Sequence, residues 1–197
     1  MAPRIRAVAL LAALTLLPGL VAAQTRKSTL DARRAQAVAS APAGASFRSA
    51  GQDYRIVPGI RAARVRGSGT VSSTLSAVGA RESDLLERKG PYALYVEPAG
   101  AVPDVASPTS AVAVNVRSGQ LGIVTGTITA RVGSATAAAT AARAGGVILE
   151  LVTPATGYAF FRARSGADVL AAAAALRARP ELKGVEVEVR EAYDEPQ

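Results

Sequence analysis

Residues 120–193 read QLGIVTGTITARVGSATAAATAARAGGVILELVTPATGYAFFRARSGADVLAAAAALRARPELKGVEVEVREAY, and this stretch decides the fold. Gln120 to Val132 is rich in Ile, Val and Thr, residues that suit a pleated, half-buried surface. It sets Val124, Ile128 and Val132 on one face with Gly126 between them. Ser134 then stands as a hydroxyl cap before an alanine-rich helix over Ala135 to Ala144, and Gly145-Gly146 stops it. Val147 to Val152 is an apolar strand, Thr153 to Gly157 a turn, and Tyr158 to Arg164 an alternating strand, so the two predict a hairpin. Ser165 and Asp168 have capping-box spacing, with Asp in place of the usual Glu. They open a second helix with the apolar stripe Val169, Leu170, Ala173 and Leu176, which Pro180 closes. From Gly184 to Arg190 the alternation is strict: Val185, Val187 and Val189 point one way, and Glu186, Glu188 and Arg190 the other.

The order of elements is βαββαβ. It predicts an α+β fold whose C-terminal part is a ferredoxin-like sandwich, a four-stranded antiparallel sheet with two helices on one face. Val124, Ile128, Val147 to Leu151, Phe160 or Phe161, Val169, Leu170, Leu176, Val185, Val187 and Val189 supply its core. At ~1.5–3 kcal/mol for each fully buried side chain, set against ~1–2 kcal/mol of backbone entropy per ordered residue, that core is marginal.

Working outward, the strand Val112 to Val116 begins this C-terminal domain, which runs over residues 112–197. Residues 52–111 form a small β-rich region. Its β-prone pieces, Tyr54 to Val57, Gly69 to Leu75 and Tyr92 to Glu97, are divided by Pro58-Gly59, Gly90-Pro91 and Pro98 to Pro103, and Ala106 to Thr109 is its joint to the next domain. Residues 24–51 read as a flexible leader with one weak helical turn from Leu30 to Val38. Residues 1–23 carry the marks of a secretory signal peptide: Arg4 and Arg6, the apolar run Ala7 to Leu17, then Val21-Ala22-Ala23 before a cleavage point at Gln24. The apolar run falls short of the ~20 residues a bilayer span needs. The mature chain is therefore expected in a periplasm or outside the cell, away from the membrane.

The 197 residues include no Cys, His or Trp, and the formal charge is +8. Without Cys and His, disulfides, thiolate nucleophiles, Ser-His-Asp triads and nearly all zinc sites are excluded. Lys27, Lys89 and Lys183 are not in Ser-x-x-Lys spacing. The carboxylate pairs Glu186/Glu188 and Glu191/Asp194 fall in a terminal strand and tail, and Gly67-Ser-Gly69 lacks the rest of a phosphate loop. The chain is read as no enzyme, with no cofactor and no metal. Two arginines leave with the signal peptide, so the mature charge is +6. The remaining cations are scattered with few aromatics among them, which argues against nucleic acid.

Residues 120–197 resemble the propeptide domain of subtilisin-like serine proteases. The likeness lies in Leu176 to Tyr193 (LRARPELKGVEVEVREAY), a helix end and proline leading into an alternating strand and tail. Ala113 to Thr127 (AVNVRSGQLGIVTGT) is similar to the separate external chaperones encoded beside some secreted bacterial subtilases. The resemblance covers about two-fifths of the chain in element order. It departs from the propeptides in that no protease domain follows Gln197, so the expectation is a free-standing chaperone and inhibitor acting in trans. It implies that the sheet face carrying Glu186, Glu188 and Arg190 packs on two surface helices of a secreted subtilisin-like protease. Carboxylates there would cap helix N-termini. The tail Tyr193, Asp194, Glu195, Pro196 and Gln197 would lie substrate-like in the cleft. The alternative reading is a non-catalytic structural or interaction protein of the cell envelope.

Overall fold

The computed structural model describes residues 18–100, 109–164 and 168–192. Its frame is one antiparallel sheet of nine strands: β1 (Ser46–Ser49), β2 (Gln52–Arg64), β3 (Leu85–Lys89), β4 (Tyr92–Val96), β5 (Thr109–Asn115), β6 (Leu121–Val132), β7 (Ile148–Thr153), β8 (Tyr158–Arg162) and β9 (Leu182–Arg190). Four α-helices accompany it: α1 (Pro18–Ser40), α2 (Val71–Ala77), α3 (Ala135–Ala144) and α4 (Val169–Arg177).

The long strand β6 organises the C-terminal half. One of its edges pairs with β9 from Ile123 to Val132. The other edge is divided: Leu121 to Ile123 pair with β5, and Thr127 to Arg131 pair with β8. Gly126 lies between the two halves at φ +80°, where the register with β9 shifts, a backbone angle that a side chain would strain. With β7 paired to β8, the four strands that α3 and α4 connect lie in the order β7-β8-β6-β9.

Both helices cover the same face of these strands. Ala138, Ala141 and Ala142 of α3 and Ala173 and Leu176 of α4 pack on Val124, Ile128, Ala130, Ala159, Phe161, Val185 and Val187. Alanine is what lets the helices sit close to the sheet, and the large volume in the layer comes from the strands. Phe161, Ile128 and Val187 are fully buried. The Ser134 hydroxyl caps α3, accepting from the Ala137 N–H at 3.1 Å. The start of α4 differs from the expected capping box. Asp168 is itself the cap, accepting from the N–H groups of Leu170 at 2.8 Å and Ala171 at 3.4 Å. A carboxylate reaching these early donors does the cap's work alone. Ser165 lies outside the described residues.

The N-terminal half departs further from expectation. Pro58-Gly59 does not divide β2, which continues to Arg64 with a register irregularity against β5 between Ile56 and Arg61. Gly69 to Leu75, read as β-prone, instead leads into helix α2. Thr70 caps it, accepting from the Ser73 N–H at 3.1 Å while the Ser73 hydroxyl accepts from the Thr70 N–H, a capping box built from two short hydroxyl side chains. The weak turn expected from Leu30 to Val38 is part of α1, whose Ala37 and Val38 pack on a second core of Val57, Ile60, Leu86, Leu94, Val112, Val114, Leu121 and Ile123. Arg34 ties the helix to β3 through Glu87 at 3.5 Å. A third cluster joins α2, through Leu75, to Ala63, Ala93 and Tyr95. The boundary expected at 111/112 falls inside β5, which pairs with β2 on one edge and β6 on the other. The Ala106 to Thr109 joint lies almost wholly outside the described residues.

Two tyrosines report on these cores. Tyr95 is pushed up to about 12 by burial and by Glu97, and Tyr54 to about 12 by burial and by the Glu191 carboxylate. A raised folded value means that their contribution to stability is complete below the ordinary value of 10.0 and is lost as pH rises through 12. In an absorbance titration, two of the five tyrosines are expected to ionise near pH 12, together with unfolding. Five ionising together near pH 10 would contradict the burial.

Candidate functional site

The face of β7-β8-β6-β9 opposite α3 and α4 carries side chains that register places in rows. Across the sheet, Glu186 stands beside Thr129, Thr129 beside Phe160 and Phe160 beside Leu151. The next row runs Lys183, Arg131, Tyr158 and Thr153, and another Thr127, Arg162 and Ile148. Directly paired residues lie side by side on one face. The face is therefore apolar at its β7-β8 side, threonine-lined along β6 and charged, with both signs, along β9.

Glu186, Glu188 and Arg190 do stand on the outward side of β9, while Val185 and Val187 are buried under the helices. All three are partnered within the chain. The Ala50 N–H donates to Glu186 at 3.2 Å, and Glu188 accepts from the Thr125 hydroxyl at 2.6 Å and from Arg190 Nε at 2.8 Å. Burial pushes the Glu188 carboxyl up, but the Thr125 and Arg190 donors outweigh it and hold the group below its ordinary value of 4.5. Tyr193, Asp194, Glu195, Pro196 and Gln197 lie outside the described residues, as do residues 1–17 of the expected signal peptide.

The apolar side of the face was not legible as a site. Val147 to Leu151 read as core, yet Ile148 is 48% and Leu151 53% exposed, with Tyr158 at 37%. The cause is a bulge. Leu149 pairs with Phe161 and Leu151 with Phe160, so Glu150 is the extra residue, and both Ile148 and Leu151 fall on the helix-free side. Glu150 and Arg162 form a two-pronged ion pair beside them, and Arg131 lies over the Tyr158 ring at 5.5 Å from its centre. The available signal was a strand apolar at every position but Glu150, in a sheet whose helices cover one face. Among the described residues, no group of three or more acidic side chains is placed to hold a metal ion, and no helix is long and apolar enough to cross a membrane.

The helix-free sheet face thus combines an apolar flank with a charged rim. The chain belongs to the family described as Open reading frame 2 N-terminal domain, whose model matches residues 39–196. None of the curated proteins matches it. Among solved structures, it is similar to a chain in the crystal structure of Aeromonas sobria serine protease (ASP) and the chaperone (ORF2) complex. That match has 18% identity and a TM-score of 0.39 and covers 78% of this chain and 100% of that one.

Proposed function

We propose that this protein is an exported chaperone and inhibitor of a secreted subtilisin-like serine protease, which it binds through the helix-free sheet face and the C-terminal tail. The solved complex pairs a protease with a chaperone for its own two proteins. For this chain the reading rests on one observation: the helix-free face of the antiparallel strands β7-β8-β6-β9 exposes Ile148, Leu151 and Tyr158 together. Grouped apolar side chains on an exported protein call for a partner surface. Two protease helices packed across the rows would cover the apolar flank and place their N-termini near Glu186 and Glu188, where unpaired N–H groups favour carboxylates. Both carboxylates keep acceptor capacity beyond their present partners. The tail from Tyr193 to Gln197 would add as an extended strand in the cleft.

The test is inhibition by the mature chain, residues 24–197, and by the same chain ending at Ala192. The full chain is expected to inhibit tightly and the shortened one at least about tenfold more weakly, with both unfolding at the same temperature, since a strand segment in a cleft contributes its own hydrogen bonds. Equal inhibition by the two would remove the tail from the mechanism.

A further inference from the structure

Two side chains from two other strands hold the end of β9, and a third, from Tyr54, faces it. The Asn115 side chain, almost fully buried, donates from Nδ2 to Glu191 Oε1 at 2.8 Å. Its Oδ1 accepts from the N–H groups of Arg117 at 2.9 Å and Ser118 at 3.1 Å, which fixes the β5-β6 turn. Lys89 Nζ, with a side chain only 10% exposed, donates to the Glu191 backbone carbonyl at 2.8 Å. Burial and the same carboxylate raise the Tyr54 hydroxyl above its ordinary value. Gly122 completes the fit, because a Cβ there would stand 2.4 Å from Val189 Cγ1 and 3.4 Å from Glu191 Cγ. A buried amide and a nearly buried ammonium converging on one residue at the close of a terminal strand do more than that strand's pairing requires, since the pairing with β6 already ends at Arg190.

We propose that Asn115, Lys89 and Tyr54 form a clamp on Glu191, a set of positioning residues that fixes the anchor from which the C-terminal tail is presented. The clamp rests on the proposed inhibitory role for its consequence but not for its existence. The clamp fixes the backbone at Glu191, immediately before Ala192. That limits the conformations the tail must give up on entering a cleft, the general benefit of preorganisation. Asn115 couples this anchor to the β5-β6 turn, and Lys89, 3.5 Å from Glu87, couples it through Arg34 to α1.

Two substitutions test it. Asn115→Asp keeps the acceptor that holds the turn while replacing the amide donor with a carboxylate facing Glu191. Lys89→Met keeps the stem and removes the ammonium. Each is expected to weaken inhibition by about tenfold in the full chain and by less than about twofold in the chain ending at Ala192, because the effect passes through the tail. Equal weakening in both chains, or in neither, would overturn the clamp. A second readout needs no protease. Since the protein has no cysteine, Gln197→Cys together with Ser83→Cys takes two spin labels at chosen places. A distance distribution that broadens on Asn115→Asp or Lys89→Met supports the clamp even if no protease is inhibited, an outcome that would fell the inhibitory reading alone. A distribution that stays the same would overturn the clamp.

Discussion

Leu151→Asp, combined with Ile148→Asp, is expected to weaken inhibition of the partner protease by about 100-fold or more while leaving the unfolding temperature nearly unchanged. Both side chains are about half exposed on the edge strand β7 and make no part of the buried core. Surface substitutions of this kind usually change stability by no more than about 0.5 kcal/mol. In the proposed complex they become central contacts. Losing them removes about half of the ~1.5–3 kcal/mol of full burial for each side chain, and a buried carboxylate left without a partner adds about 3–5 kcal/mol. At about 1.4 kcal/mol per tenfold, the sum exceeds two decades. Inhibition that persists in the double variant would place the contact elsewhere. Thr153→Asp, in the neighbouring row and already polar, is the matched control and is expected to change inhibition far less.

Phe161→Ala is expected to destabilise the fold by about 3–5 kcal/mol, a loss comparable with the whole stability of a modest domain. Phe161 is fully buried at the centre of the helix-sheet layer, paired with Ile128 on one side and Leu149 on the other. The alanines of α3 and α4 are too small to close over the void. Phe160→Ala, one residue away on the other face, is the decisive comparison, because it leaves a gap open to solvent and is expected to cost much less. Denaturant unfolding of the two variants ranks them. If Phe160 proved the costlier position, the assignment of faces across β8 would be reversed.

Much of the C-terminal half was legible because its periodicities are clean. The alternation from Val185 to Arg190 fixes which side chains meet the helices, and Ser134 and Gly145 bracket α3 at both ends. What was not legible depends on partners distant in sequence. The Glu150 bulge exists in the register between β7 and β8, and nothing in the local residues shows that Leu151 turns outward. Thr70 and Ser73 cap α2 within a stretch whose Val and Thr content suits a strand, and packing of Leu75 against Tyr95 and Ala93 decides for the helix. The clamp on Glu191 joins residues 54, 89, 115 and 191 from four segments, a convergence only the fold creates. Glu186, Glu188 and Arg190 were found on the correct strand face. Their internal partners Ala50 and Thr125 come from β1's turn and from β6, and so were invisible to a reading along β9 alone.

The most direct test is to titrate the mature chain, residues 24–197, against the subtilisin-like protease secreted by the same organism and follow hydrolysis of a small peptide substrate. One-to-one suppression of activity, relieved by Leu151→Asp with Ile148→Asp, is the predicted result. Full protease activity at about tenfold molar excess of a folded mature chain would contradict the proposed function.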